Sequence, residues 1–135
     1  MTTLTARAPG LDPHLPYLAD VPVSAIMGLV LIFAAGPLTD LAGWSLPPSF
    51  FMTLGVILLP WAAYNLLIAR KPRPAPALVW SNIAVDLSWA LGSFVLVAVY
   101  WSELTGLGAA LLCAQGLAVG AMFMAKLLGV RALLC

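Results

Sequence analysis

Polar residues inside apolar runs are the chemistry-bearing feature of this 135-residue chain. Residues 78–101 form a stretch long enough to cross a bilayer, with a carboxylate, Asp86, near its middle. Asn82, Asp86, Trp89 and Ser93 follow at spacings of four, three and four, which puts them on one face of a helix. At about 1.5 Å per residue, Asp86 sits roughly 15 Å and Asn82 roughly 9 Å from the start of that helix. The same count places Gln115 roughly 16 Å deep in the next apolar stretch and Pro60 at about 15 Å in the preceding one, with Asn65 nearer the basic connection and opposite Asn82. An intramembrane cluster of Asp86, Asn82, Gln115, Asn65 and Ser93 is the expectation. With no cation expected at that depth, desolvation favours an uncharged Asp86. Such an acid is a donor as well as an acceptor, and suits the carbonyl of Val56, which Pro60 leaves without its usual donor, and the Gln115 amide. Two uses follow: a hydrogen-bonded contact that holds three helices in register, or a proton or cation site in a transport path.

Composition decides the setting. Hydrophobic residues make up 63% of the chain, charged residues 8%, and the mean hydropathy is +1.05, against about 25% charged residues in soluble domains. Eleven Leu, Ile, Val or Phe residues in 78–101 contribute about −0.3 to −0.6 kcal/mol each to insertion, which outweighs about +2.5 to +3.5 kcal/mol for one central Asp. The expected fold class is all-α: a polytopic membrane protein, a four-transmembrane-helix antiparallel bundle with spans near residues 21–38, 50–69, 78–101 and 104–128. The whole of residues 21–135 forms the transmembrane domain. It follows an arm, residues 1–20, punctuated by Pro9, Pro13 and Pro16 and too polar for a secretory signal peptide. Val130–Cys135 reads as a short tail along the interface. Pro60 predicts a kink in the second span.

All six Lys and Arg residues (Arg7, Arg70, Lys71, Arg73, Lys126 and Arg131) fall on one side of such a bundle, while Asp40 and Glu103 fall on the other. Both termini are therefore expected in the cytoplasm, with the protein integral to a bacterial inner membrane. Arg70, Lys71 and Arg73, spaced by prolines, form a cytoplasmic basic loop suited to anionic headgroups or a protein partner. For helix packing the small residues Gly116 and Gly120, Ser88 and Gly92, and Ser24 and Gly28 are expected to meet inside the bundle.

The reactive inventory is short. His14 is the only histidine, so a haem held by two histidines is excluded. Cys113 has no neighbouring base in the spans and reads as a packing residue. Trp44, Tyr100, Trp101, Trp80 and Tyr17 suit the interfaces, and Trp61 and Trp89 lie deeper, where they pack a core or wall a pocket for a pigment, quinone or lipid. No catalytic residue, cofactor-binding residue or metal ligand is expected, hence no cofactor, no enzyme activity and no nucleic-acid partner.

Arg70-Lys71-Pro72, then Asp86-x-x-Trp89-x-x-Gly92-Ser93, then Leu128-Gly129-x-Arg131 resemble the pattern of uncharacterised small four-span bacterial integral membrane proteins. The resemblance covers the last two thirds of the chain and implies four helices without a known activity; the proline-rich arm departs from it. Small multidrug transporters and fluoride channels are also four-span, but the first span here has no membrane-embedded Glu, and the glycine and phenylalanine patterns of the channels are missing. The expected function is a non-catalytic accessory or assembly subunit of a larger membrane complex, meeting lipid and either a membrane-protein partner or further copies of itself. The alternative is a small oligomeric transporter or channel using Asp86.

Overall fold

The computed structural model describes residues 11–135, so Arg7 and Pro9 of the arm lie outside the described residues. Five helices follow one another: α1 (Leu15–Phe33), α2 (Ala35–Ala42), α3 (Pro48–Arg70), α4 (Pro76–Val99) and α5 (Gly106–Leu134). All but α2 are long and apolar enough to cross a membrane. Proline stands in the first turn of α1, α3 and α4, where a missing N–H interrupts no helical bond. The start of α5 is set instead by Thr105, whose hydroxyl accepts from the backbone N–H of Gly108 at 3.0 Å. Gly43, at φ 75°, ends α2 in a left-handed turn.

Three boundaries differ from the sequence expectation, and each moves a charged residue. The first helix begins at Leu15, not near residue 21, so Asp20 belongs to a span and not to the arm. It ends at Phe33, not near residue 38; a break at Ala34 is followed by α2, which contains Pro37 and Asp40. The fourth long helix does not stop near residue 128. It continues to Leu134, because Val130 and Leu133 pack into a core with Tyr17, Ile68, Val79 and Ile83, drawn from all four long helices. The tail is thus core and not an interfacial strip, and Lys126 lies two turns inside the helix. The helix α3 runs on through Pro60 from Pro48 to Arg70.

Packing is closest between α1 and α3 and between α4 and α5. Gly28 and Gly55 let the first pair approach: a Cβ added at Gly55 would stand 2.5 Å from the Gly28 carbonyl oxygen. Gly116 does the same for the second pair, with Ser93 and Phe94 at 3.2–3.3 Å from such a Cβ. Gly92 and Gly120 face open space, and Ser88 is exposed with its hydroxyl turned back to the Ala84 carbonyl. Of these four expected packing residues only Gly116 makes a close approach. The reason lies on α4, whose buried face is set by Asn82, Asp86, Ala90, Ser93 and Val97; at 100° per residue Ser88 and Gly92 point away from it.

The two pairs are joined at both ends. At the end where α3 turns into α4, the Tyr64 hydroxyl of α3 donates to the Leu78 carbonyl of α4 at 2.7 Å, while within the first pair the His14 ring meets the Lys71 carbonyl through Nε2 at 2.9 Å. At the far end, Thr105 donates its N–H to Ala42 and its hydroxyl to Leu41, the Ser45 N–H donates to Glu103, and Trp44 stacks edge-on against Tyr100. Trp44 is buried there among Phe50, Phe51 and Tyr100. Between the two ties the pairs part, leaving a lateral cleft of about 670 Å³ walled by Leu31, Phe51, Trp89, Leu112 and Gln115 among others.

Candidate functional site: a buried lysine between four helices

Lys126 is the centre of the molecule's polar chemistry. Its residue is 1% exposed, and the ammonium stands 2.9 Å from Asp20 Oδ2, 3.0 Å from Asn65 Oδ1, 2.9 Å from Asn82 Oδ1 and 2.6 Å from Asp86 Oδ2. Each of the four long helices supplies at least one of these groups. The rings of Tyr17 and Trp61 complete the shell, with centroids 4.9 and 5.6 Å from Nζ, where their π faces attract the cation.

The secondary structure makes this possible in simple steps. Asn82 and Asp86 are four apart on α4 and share its buried face. Asp20 and Ser24 are four apart on α1, and the Ser24 hydroxyl donates to Asp20 Oδ1 at 2.8 Å, orienting the carboxylate so that Oδ2 faces Lys126. The Asn82 amide N–H donates to Asn65 Oδ1 at 3.3 Å, and the Asn65 amide donates to the Trp61 carbonyl at 3.1 Å. Both carboxamide oxygens are thereby turned toward the ammonium, which can only donate.

Asp86 therefore does not lack a cationic neighbour, as the sequence suggested. It faces Lys126. Nor does it meet the Val56 carbonyl or the Gln115 amide: Val56 is exposed, and Gln115 belongs to a separate polar group. There the Trp89 indole N–H donates to Gln115 Oε1 at 2.9 Å, the Gln115 amide donates to Ser93, and the Ser93 hydroxyl donates to the Trp89 carbonyl at 2.8 Å. Of the expected cluster, Asp86, Asn82 and Asn65 come together, while Gln115 and Ser93 pair with Trp89 beside the lateral cleft.

Lys126 and Asp20 are the two residues that sequence reasoning left out. The first helix starts six residues before, and the fourth long helix ends six residues after, the expected bounds, so both residues read from sequence as membrane-edge groups. The available signal was the run Val130, Leu133, Leu134, whose apolar spacing continues the helix past Lys126. A second signal was the Asp20–Ser24 pair, which has helical spacing with apolar residues around it.

Chemically the centre is an ammonium surrounded by four acceptors, two of them carboxylate oxygens. The cleft walls contain none of its members. At the aqueous edge, Arg70, Lys71 and His14 border a shallow open pocket of about 320 Å³ with Asp12 on its rim. The His14 backbone N–H and then its ring contact the Asp12 carboxylate at 3.0 Å, and these contacts hold the Asp12 carboxyl below its ordinary 3.8. No protein-family model, no curated protein and no solved structure matches the chain.

Proposed function

We propose that the chain is a non-catalytic integral membrane protein that serves as an accessory or assembly subunit of a larger membrane complex in a bacterial inner membrane. One observation carries the reading. The buried polar side chains of all four long helices converge on Lys126, away from the cleft, and fasten the helices to one another. A body stabilised in this way is suited to presenting surfaces. Gly92 and Gly120 face open space, and close approach to a partner helix in lipid depends on such small residues.

The same reading includes an antiparallel bundle with both termini cytoplasmic. Contacts between the ends of successive helices support the first part, such as His14 with Lys71 and Asn65 with Asn82. The positive-inside bias supports the second. Lys126 now leaves that count, since it is buried between the helices, whereas Arg70, Lys71, Arg73 and Arg131 are kept on one side by this reading.

Isolation of the tagged protein in mild detergent tests the proposal. A stoichiometric membrane-protein partner is expected, and Gly92→Leu or Gly120→Leu should release it while leaving the chain folded. A stable homo-oligomer with no partner contradicts it. The second reading, a small oligomeric transporter, is favoured by the presence of two carboxylates for one ammonium in the centre. Proton flux in proteoliposomes that Asp86→Asn abolishes would establish that reading instead.

A further inference from the structure

Charges and hydrogens around Lys126 do not balance. The groups facing Nζ are Asp20 and Tyr17 from α1, Asn65 and Trp61 from α3, and Asn82 and Asp86 from α4. Among them are two carboxyls and no second cation; the next basic residue of α5, Arg131, is exposed. With both carboxylates ionised, the centre carries one uncompensated negative charge where Asp20 is 8% and Asp86 4% exposed. An unpaired buried charge is strongly unfavourable.

Hydrogen bonding locates the imbalance. An ammonium has three hydrogens, and here it meets four acceptors. Of the four carboxyl oxygens, Asp20 Oδ1 accepts from Ser24, while Asp20 Oδ2 and Asp86 Oδ2 accept from Lys126. No described residue donates to the fourth, Asp86 Oδ1. The Tyr17 hydroxyl, on the ring that faces Lys126, is buried and also has no partner.

We infer that the Lys126 centre is a binding site for one proton, held on Asp86 Oδ1. The step is the addition of a proton from the aqueous phase to a carboxylate oxygen. It forms one O–H bond, breaks none within the protein and brings the centre from one net negative charge to neutrality. The number of protons bound is fixed by charge balance over the whole group, and not by the burial of Asp86 alone. This inference is independent of the subunit reading, since a proton held in the core serves a structural centre and a transport site equally.

Infrared spectroscopy of the full chain in lipid vesicles at neutral pH, with carbon-13 in the aspartate carboxyls, reads the protonated carboxyl band directly. One protonated aspartate per chain is expected in the wild type. The band should vanish in Asp86→Asn. It should also vanish in Asp20→Asn, because Lys126 then neutralises Asp86 by itself. In Lys126→Met it should double, both carboxyls having lost their cation; should that variant fail to fold, the two asparagine variants decide the matter alone. A wild type without the band overturns the inference, as does a band that survives in either asparagine variant. A band that emerges in the wild type only when sodium or potassium is withdrawn would assign the site to a metal cation and overturn it as well.

Discussion

At the scale of single residues, the polar centre is a case in which removing one partner and removing all of them have different consequences. A buried pair that loses one member leaves an uncompensated charge, at about 3–5 kcal/mol. Replacing the whole group with well-packed apolar residues is far less costly and is often neutral. Tyr17 supplies a sharper residue-level expectation. Its ring contributes to the core and to the cation shell, but its buried hydroxyl makes no hydrogen bond. Tyr17→Phe keeps the ring and removes an unsatisfied polar group, so it should leave stability unchanged or raise it by about 1 kcal/mol. Unfolding in mixed detergent measures this; a loss of more than about 1 kcal/mol would mean that the hydroxyl has a partner in the membrane.

At the scale of elements, helix contacts are governed by glycine within each pair and by polar groups between the pairs. A Cβ at Gly55 meets the Gly28 carbonyl at 2.5 Å and the Ile32 nitrogen at 3.1 Å, and backbone atoms cannot yield as a flexible side chain can. Gly55→Ala should therefore push α1 from α3 and cost about 1–3 kcal/mol. Gly92→Ala and Gly120→Ala meet nothing within 4 Å and should be neutral or favourable by up to about 1 kcal/mol through helix propensity. Equal effects at the three positions, measured by the same unfolding assay, would contradict the assigned packing. The four spans were legible in the sequence because hydropathy and length alone identify them. The Asn65–Asn82 contact was legible because a short connection fixes depth on both sides of a hairpin. What escaped was the partner of Asp86. A depth count depends on helix ends, and the ends of α1 and α5 are set by tertiary packing of Tyr17, Val130 and Leu133 that no local pattern displays. Once Lys126 was assigned to an edge, Gln115 remained the natural neighbour of Asp86 by depth; its side chain instead turns to Trp89 and Ser93.

At the scale of the whole molecule, two helix pairs are tied at both ends and part between them. Within the first pair, the start of α1 is held to the end of α3 by His14, which contacts Asp12 and the Lys71 carbonyl. Because the His14 contacts, the backbone N–H foremost, hold the Asp12 carboxyl below 3.8, its unfolded value, the contribution of Asp12 ionisation is fully present above about that pH. It is lost as pH falls through the lower folded value. In detergent micelles the amide resonance of His14 should titrate below 3.8 and lose that response in Asp12→Asn; titration at or above 3.8 would show that the bridge is not formed. The tie through Lys126 is the one on which the arrangement depends, since it alone engages all four long helices. The most direct test is a double-mutant cycle between Lys126→Met and Asp20→Asn, two residues 106 apart in the chain that meet at 2.9 Å. Unfolding free energies should show a favourable coupling of about 0.5–3 kcal/mol between them. Strict additivity, within about 0.3–0.5 kcal/mol, would mean that the two side chains do not meet in the membrane and that Lys126 does not hold the four helices together.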